Sequence, residues 1–483
     1  MGTINAAFGL ISGALDADQA ALNVVANNVA NANTPGYTQE KPEWQQNSPI
    51  TVNGITIGEG VTETGAASQR DRVLEERLDQ QQQLASGSST RLAALNEMQA
   101  MFTPDSGTTS SKAGDIGSDI TNFFDSFSSL ESDSTDNALR QSVLSAASTL
   151  SADISSAAAS LNSQRSAIDQ DASGIASQVN SLTSALAQVN QQIESTSPDA
   201  DAGTLEDQRQ QDLSQLSQLI GVNQVTTENN GLEITTTSGQ LLVSGGKSYQ
   251  LTTGAVNGVT DFFVNGNDIT AGLTTGAGQL GGYLTARDVD IPNALSSLDQ
   301  LAYGISTSVN AANNSGTDLD GVEGTGTNSS GVVGSGVTPL YIFNEPAQIA
   351  GSAAAMTVTM TDPNQIAAAG FGDGTGDNSN AITIAALAGG QIVNGQTPTD
   401  YYSNFVTALG STVSEVQTEN TAQNASVTQL QTQNNALSSV NLNDEAAAMS
   451  TLETGYQAAS QVFNMLNTIM TSALNLGMET TVS

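Results

Sequence analysis

The sequence predicts a mainly α fold with inserted β structure. Terminal coiled-coil helices flank a long-helix bundle, and outer β-rich segments are inserted between helical ones. Three observations carry this. Near the start, Ile4, Phe8, Ile11, Leu15, Leu22, Val25 and Val29 recur in steps of four and three, broken where charged Asp18 takes a slot. Near the end, Leu452, Tyr456, Ala459, Phe463, Leu466, Met470 and Ala473 repeat that spacing. It is the spacing of a coiled-coil seam, though an amphipathic helix of an ordinary core shows a similar face. The second observation is a heptad-like run from Leu139 through Val143, Leu150, Ile154, Leu161, Ile168, Ile175, Val179, Leu182, Leu186 and Val189 to Ile193. The third is a change of texture at Val222, where Thr, Val and Gly pairs replace helical spacing.

In chain order, the first seam ends in Asn27-Asn28-Val29-Ala30-Asn31-Ala32-Asn33-Thr34-Pro35-Gly36-Tyr37. The Asn run weakens a helix, Pro35 stops it, and Pro35-Gly36 turns the chain. Ile50 to Ile57 alternates around Asn53-Gly54, a hairpin signal. The sole tryptophan, Trp44, precedes it and is expected as a locally buried ring rather than a subunit anchor. Helices are predicted over Arg70–Gln83 and, separately, Thr90–Phe102, with a loop at Gly107–Ser111 and a further helix over Asp119–Leu130. The long run ends at Ser197-Pro198-Asp199, with Gly174 as a soft point. Leu205–Ile220 folds back on it, and Gly221 is expected as its C-cap. Strands and hairpins fill Val222 to Leu280. Helix returns over Gly282–Ala312 with a break at Ile291-Pro292, and Ser315–Thr338 is a Gly/Ser/Asn-rich loop. Ala355–Met360 reads as a strand, a small helix follows Asn380, and helix runs from Tyr401 to the end with a dip at Ser438–Asn441.

Composition narrows the function. The 483 residues give a prior of two to four domains. The formal charge is −37, with only 11 Lys and Arg, so nucleic acid and anionic membrane are poor partners. Such a surface repels copies of itself at low ionic strength. The chain has no Cys and no His. That removes disulfides, thiolate sites, the commonest general base and the usual zinc ligand. No catalytic residue, cofactor or metal site is assigned. Asp318–Glu323 and Gly372–Asn378 resemble calcium loops superficially, but lack the twelve-residue spacing and closing Glu, and read as turns. No secretory signal, myristoylation motif (Ala6 stands where Ser or Thr is needed) or membrane span is expected.

Ala26 to Tyr37 resembles the N-terminal signature of the axial proteins of the bacterial flagellum, carried here by Asn27, Asn28, Asn31, Thr34, Pro35, Gly36 and Tyr37. Further stretches are similar to the branch of that family at the hook–filament junction. They include Asp207–Leu213, Leu242–Gly245, Gly281–Asp288, Leu298–Ala302, Val309-Asn310, Gly316–Gly321, Gly376–Ala381, Val440–Ala446 and Tyr456–Ser460. Two departures stand out. Gln39 replaces the usual basic residue two past the tyrosine, and Asn443 replaces the first acid of the C-terminal signature. Both remove charge near the axis.

The resemblance implies a structural adaptor, not an enzyme. It implies export by the flagellar type III apparatus and a place in the extracellular flagellum as the first junction layer. Implied partners are copies of itself, hook protein, the second hook-associated protein and an export chaperone at the C-terminal helix. The expected assembly seam is Ile4, Phe8, Ile11, Leu15, Leu22, Val25, Val29, Leu452, Tyr456, Phe463, Leu466 and Met470. The expected domains are an axial coiled coil from 1–45 and 441–483, a helical middle from 46–220, 282–315 and 400–440, and β-rich insertions at 222–281 and 316–399. Other readings are another flagellar axial protein, a secreted adhesin, or a calcium-binding exoprotein.

Overall fold

The computed structural model describes residues 2–52, 55–103, 116–197, 201–256, 258–274 and 276–479. Asn53-Gly54, Gly107–Ser111 and Pro198-Asp199 lie outside the described residues. Helix α1 (Gly2–Asn31) leads into strands β1 (Glu40–Gln46), β2 (Ile50–Val52), β3 (Ile55–Ile57) and β4 (Val61–Ser68). β1 pairs with β4 and β2 with β3, both antiparallel, so the four strands form one long hairpin. Helices α2 (Arg72–Met101), α3 (Ile116–Leu130), α4 (Asn137–Thr196) and α5 (Thr204–Leu219) follow. Then come β5 (Val222–Thr226), β6 (Leu232–Thr236), β7 (Leu241–Ser244), β8 (Lys247–Ser248), β9 (Leu251–Val256), β10 (Val259–Val264) and β11 (Asn267–Asp268). They make two antiparallel sheets, ordered β5-β6-β7-β8 and β11-β10-β9. Asn265 and Gly266 turn the last hairpin with φ of 52° and 79°, the left-handed pair its tight turn needs. Helices α6 (Thr270–Leu273), α7 (Gly278–Thr285), α8 (Ile291–Asn313), α9 (Ser352–Ala355), α10 (Ser379–Ala385), α11 (Pro398–Ser438) and α12 (Leu442–Glu479) complete the chain. The fold is mainly α with small inserted sheets.

α4 is the spine. Its 60 residues, started by Asp136 accepting from the Ala138 and Leu139 amides, run roughly 90 Å. Gly174 does not interrupt it. Its first half buries Val143, Leu150, Ile154 and Leu161 in a core shared with α2, α3, α8 and α11, where Phe123, Phe124 and Phe127 pack. Its second half buries Ala172, Ile175, Val179 and Leu186 in another core with α5, α7 and the inner faces of both sheets. The heptad run thus serves two cores in sequence, each taking part of one helical stripe.

The fold departs from the sequence reading at four places. α2 is one helix, not two, running through Ser86-Gly87-Ser88-Ser89. A Cβ on Gly87 would fall 1.6 Å from the Gly276 carbonyl oxygen, and one on Gly282 would fall 2.3 Å from the Gly87 oxygen. Backbone contact with the α7 region therefore selects glycine here and overrides its weak propensity. Gly221 is not a left-handed cap. The helix ends at extended Ile220, and Gly221 instead sits against Ala277 and Thr237. The break at Ile291-Pro292 is absorbed by a π-helical turn, Ala286–Asp290, which makes room for the proline ring.

The fourth departure is 316–399, expected as β-rich. Among its described residues only isolated bridges and short helical turns occur, and Ala355 ends α9. Scattered backbone–backbone bonds, such as the Thr317 amide to the Ala369 carbonyl, are joined by side-chain partners of this backbone. Asn310 accepts from the Ile342 and Phe343 amides, both at 3.0 Å, and donates to the Phe343 carbonyl at 2.9 Å. Asn313 accepts from the Ala367 amide and donates to the Leu340 carbonyl. Fully buried Arg140 donates to the carbonyls of Ser134 and Ile366, both at 2.7 Å. The calcium-loop lookalikes are turns. Asp318 accepts from the Val322 amide, and Asp377 from those of Gly370 and Ser379.

Candidate functional site: the terminal helix pair and its clasp

α1 and α12 pack together as an antiparallel pair, and three contacts define the register. Phe8 and Phe463 meet edge to face with ring centroids 5.3 Å apart. Asp18 lies opposite Gly455, where an added Cβ would sit 3.3 Å from its Oδ2. Asn28 Nδ2 donates to Glu445 Oε1 at 3.1 Å. Numbers rise along one helix as they fall along the other. Gly455 leaves room for the Asp18 side chain, and partial burial raises that carboxyl above its ordinary value.

The expected seam residues fall unequally. Val25 is buried, with Ala17, Ala21 and Asn28 beside it on α1. Phe8, Ile11, Leu15 and Leu22 are half-buried, as are Leu452, Phe463, Leu466 and Met470 on α12. Val29 and Tyr456 remain exposed, at 39% and 37%. The side chain of Ile4 lies outside the described residues. A second apolar row on α12, Val462, Met465 and Ile469, faces outward, with Met465 64% exposed. One chain therefore covers only part of the apolar surface of its own terminal pair.

The β1–β4 hairpin lies back along α1. Gly60 approaches Leu10, and Gly13 approaches the Val61 carbonyl. Trp44, expected as a buried ring, is 49% exposed beside a bulge at Glu43/Trp44. The bulge shifts the pairing there.

The signature residues form the clasp at the root of the pair. The Asn run does not unwind the helix early; α1 continues to Asn31. Asn31 donates to the Asn27 carbonyl at 3.1 Å and to its side-chain oxygen at 2.9 Å, and Thr34 Oγ1 donates to Asn31 Oδ1. Pro35 follows, and Gly36 takes φ 82°, as a left-handed turn requires. Tyr37 then folds back, its hydroxyl donating to Asn28 Oδ1 at 2.8 Å. Asn28 also accepts from the Glu40 amide and donates to the Glu40 carbonyl. Burial first, then Glu40, Asp207 and Glu445, hold the Tyr37 phenol well above its usual range.

Residues outside the expected site complete the clasp. Gln39 Nε2 donates to Glu445 Oε1 at 2.6 Å, and the Gln39 amide donates to the Ser438 carbonyl at 2.8 Å. The Thr38 amide donates to Asp207 Oδ2. Arg70 pairs with Asp207 Oδ1 at 2.6 Å and lies 3.5 Å from Glu206. Burial raises Asp207 and Glu75. Burial also works against Glu206, but Asn230, Arg70 and Arg72 together hold it below its usual value. The Val440–Ala446 stretch was the only sequence signal for Glu445; nothing local paired it with Gln39, or Arg70 with Asp207. Among the described residues no cluster of three acids, His or Cys is placed to hold a metal, and no helix is long and apolar enough to cross a membrane.

Comparison with known proteins supports the same reading. The profile described as flagellar hook-associated protein FlgK helical domain matches residues 105–328, and that of flagella basal body rod protein matches 11–38. Flagellar hook-associated protein 1 of Salmonella typhimurium is 27% identical over 63% of this chain, and the match spans 56% of that relative's length. The namesake of Escherichia coli is 26% identical over 96% of this chain and 98% of its own, and that of Bacillus subtilis 24% identical over 96% of each. The flagellar hook junction protein FlgK of Burkholderia pseudomallei shares the fold, with a TM-score of 0.62 at 19% identity, over 74% of this chain and 99% of that one. The signature turn lies in and beside the stretch that is similar to the rod proteins of the flagellum. Beyond that stretch, the chain is similar to flagellar hook-associated protein 1 over most of its length.

Proposed function

We propose that this chain is a structural adaptor forming the first layer between hook and filament. The observation that carries this is the terminal pair: its register is fixed within one chain, yet much of its apolar surface stays open. Copies packed side by side would cover that surface, each contributing at about 25 cal/mol per Å² of apolar area removed from water. The seam residues then serve as contacts between copies. Hook protein and the second hook-associated protein are the neighbours along the axis. The chain leaves the cell through the flagellar type III channel, with an export chaperone holding its C-terminal helix, and works outside the cell. The lack of any Cys suits threading as an unfolded chain. It performs no catalysis.

In this reading 1–45 and 441–483 are the axial domain, and 46–220, 282–315 and 400–440 the helical middle. The outer insertions are 222–281, which carries the sheets, and 316–399, which is held by scattered backbone bonds together with side-chain bonds. The test is deletion of the gene, with electron microscopy of the cells and an assay for shed flagellin. Hooks of normal length without filaments, and flagellin in the medium, are expected. Missing hooks would move the chain to the hook or rod. Intact filaments would favour a secreted adhesin.

A further inference from the structure

The terminal unit, made of α1, the β1–β4 hairpin and α12, shares no apolar core with the helical middle. Among the described residues, the larger core draws its buried side chains from 92–416, and the core beside the sheets from 172–284. Three stretches of chain cross between the two bodies: 38–40, 68–70 and 438–441. Their backbones are laced together. The Gln39 amide donates to the Ser438 carbonyl at 2.8 Å, and the Gln69 amide to the Gln39 carbonyl at 2.7 Å.

The start of α5 ties this lacing to the helical middle. Asp201 Oδ2 accepts from the Ser68 amide at 2.8 Å, and its Oδ1 from the Ser68 hydroxyl at 2.7 Å. Asp207 takes the Thr38 amide on one oxygen and Arg70 on the other. Between the two acids Gly203, at φ 53°, brings the corner close to β1, where an added Cβ would fall 2.6 Å from Glu40 Oε1. The corner is fastened on its other side. Glu206 accepts from Asn230 Nδ2 at 2.7 Å, and Arg209 donates to the Asn230 carbonyl at 2.7 Å.

An interface without a large apolar core leaves its two bodies free to move unless something else holds them. The change is absorbed by a few residues at the ends of elements. We propose that this joint is a hinge and that Asp201 and Asp207 are its latch. Closed, the latch fixes the angle between the terminal pair and the helical middle. Open, it lets the pair swing as one body, because the contacts of Phe8 with Phe463 and of Asn28 with Glu445 lie within the pair. Neither core has to break. Neighbouring copies that hold the pair at another angle would open the latch. That use rests on the adaptor reading, whereas the hinge belongs to the single chain.

The test is a distance measurement between spin labels on the full-length monomer, by double electron–electron resonance. The chain has no Cys, so labels attach only where a cysteine is introduced. Ser12→Cys with Gln192→Cys spans the joint, and Ser12→Cys with Ser450→Cys spans α1 and α12; all three positions are exposed. Both distances should be narrow in the otherwise unchanged chain. Asp201→Ala with Asp207→Ala, its folding checked by circular dichroism, should roughly double the width across the joint and leave the α1–α12 distance as it was. Asp125→Ala, at an exposed acid on α3, should widen neither. A joint distance that stays narrow without the two acids would overturn the proposal, as would one already broad with them. So would a broadened α1–α12 distance, since the acids would then hold the pair together rather than aim it. The readout needs neither hook nor filament, so its failure is separate from that of the gene deletion.

Discussion

Gln39 Nε2 reaches Glu445 Oε1 at 2.6 Å, and Asn28 Nδ2 reaches the same oxygen at 3.1 Å. Glu445 is 4% exposed and receives both bonds from neutral amides. Where the family resemblance leads one to expect charge at position 39, this chain closes its clasp with an uncharged donor. Bonds of that kind are little affected by salt, unlike exposed ion pairs. Glu445→Ala would leave two donors unmatched, costing about 1–3 kcal/mol each. Hydrogen exchange should speed up along α1 and α12 while α4 stays protected. Equal protection of α12 in wild type and variant would remove the clasp's role.

Asp79 gives the chain a pH dependence with a definite sign. Burial first, against weaker support from Gln210 and Gln224, lifts its carboxyl from 3.8 to about 7. The folded state therefore holds a proton that the unfolded chain has already released. Stability is full below the unfolded value and falls as pH rises through the folded one. Melting temperature should drop between about pH 4 and about pH 7, and Asp79→Asn should flatten that slope. An unchanged slope would assign the titration to another group.

Gly87 and Gly282 touch backbone to backbone where α2 crosses α7. Gly87→Ala places one methyl 1.6 Å from the Gly276 carbonyl oxygen just before α7, so the two backbones must part. A loss of about 3 kcal/mol or more is expected by urea denaturation, against the small gain that Ala brings to an open helix position. A neutral or stabilised variant would mean that the crossing relaxes freely.

Leu466 is half-buried in the terminal pair. Leu466→Glu should abolish filament formation while the exported monomer stays soluble, because the two large cores lie elsewhere. Electron microscopy and the culture medium report both halves of this outcome. Filaments on cells carrying the variant would sink the seam assignment.

Neither α1 nor α12 contains a Lys or Arg. Contacts between these helices in neighbouring copies lack ion pairs and carry only like charge. Assembly followed by light scattering should quicken as sodium chloride rises from low concentration. A decline with salt would show that cations elsewhere in the chain make the contacts.

The sequence by itself determined the helical spacing of both termini, the long spine, the hairpin signals of residues 222–281 and the turn at Pro35-Gly36. These follow from local periodicity and backbone chemistry, which neighbouring residues dictate. Asp18 was legible as a break in the seam, but its place against Gly455 was not. The tertiary structure alone decided that α2 runs on through Gly87, because the partner backbone lies far away in sequence. It alone decided that Asn310 and Asn313 bond the loop backbone after α8 at Leu340, Ile342, Phe343 and Ala367. It also brought Gln39 to Glu445, and Arg70 to Asp207. Hydrogen-bond partners hundreds of residues apart leave no periodic trace. They are set only when the two ends of the chain meet.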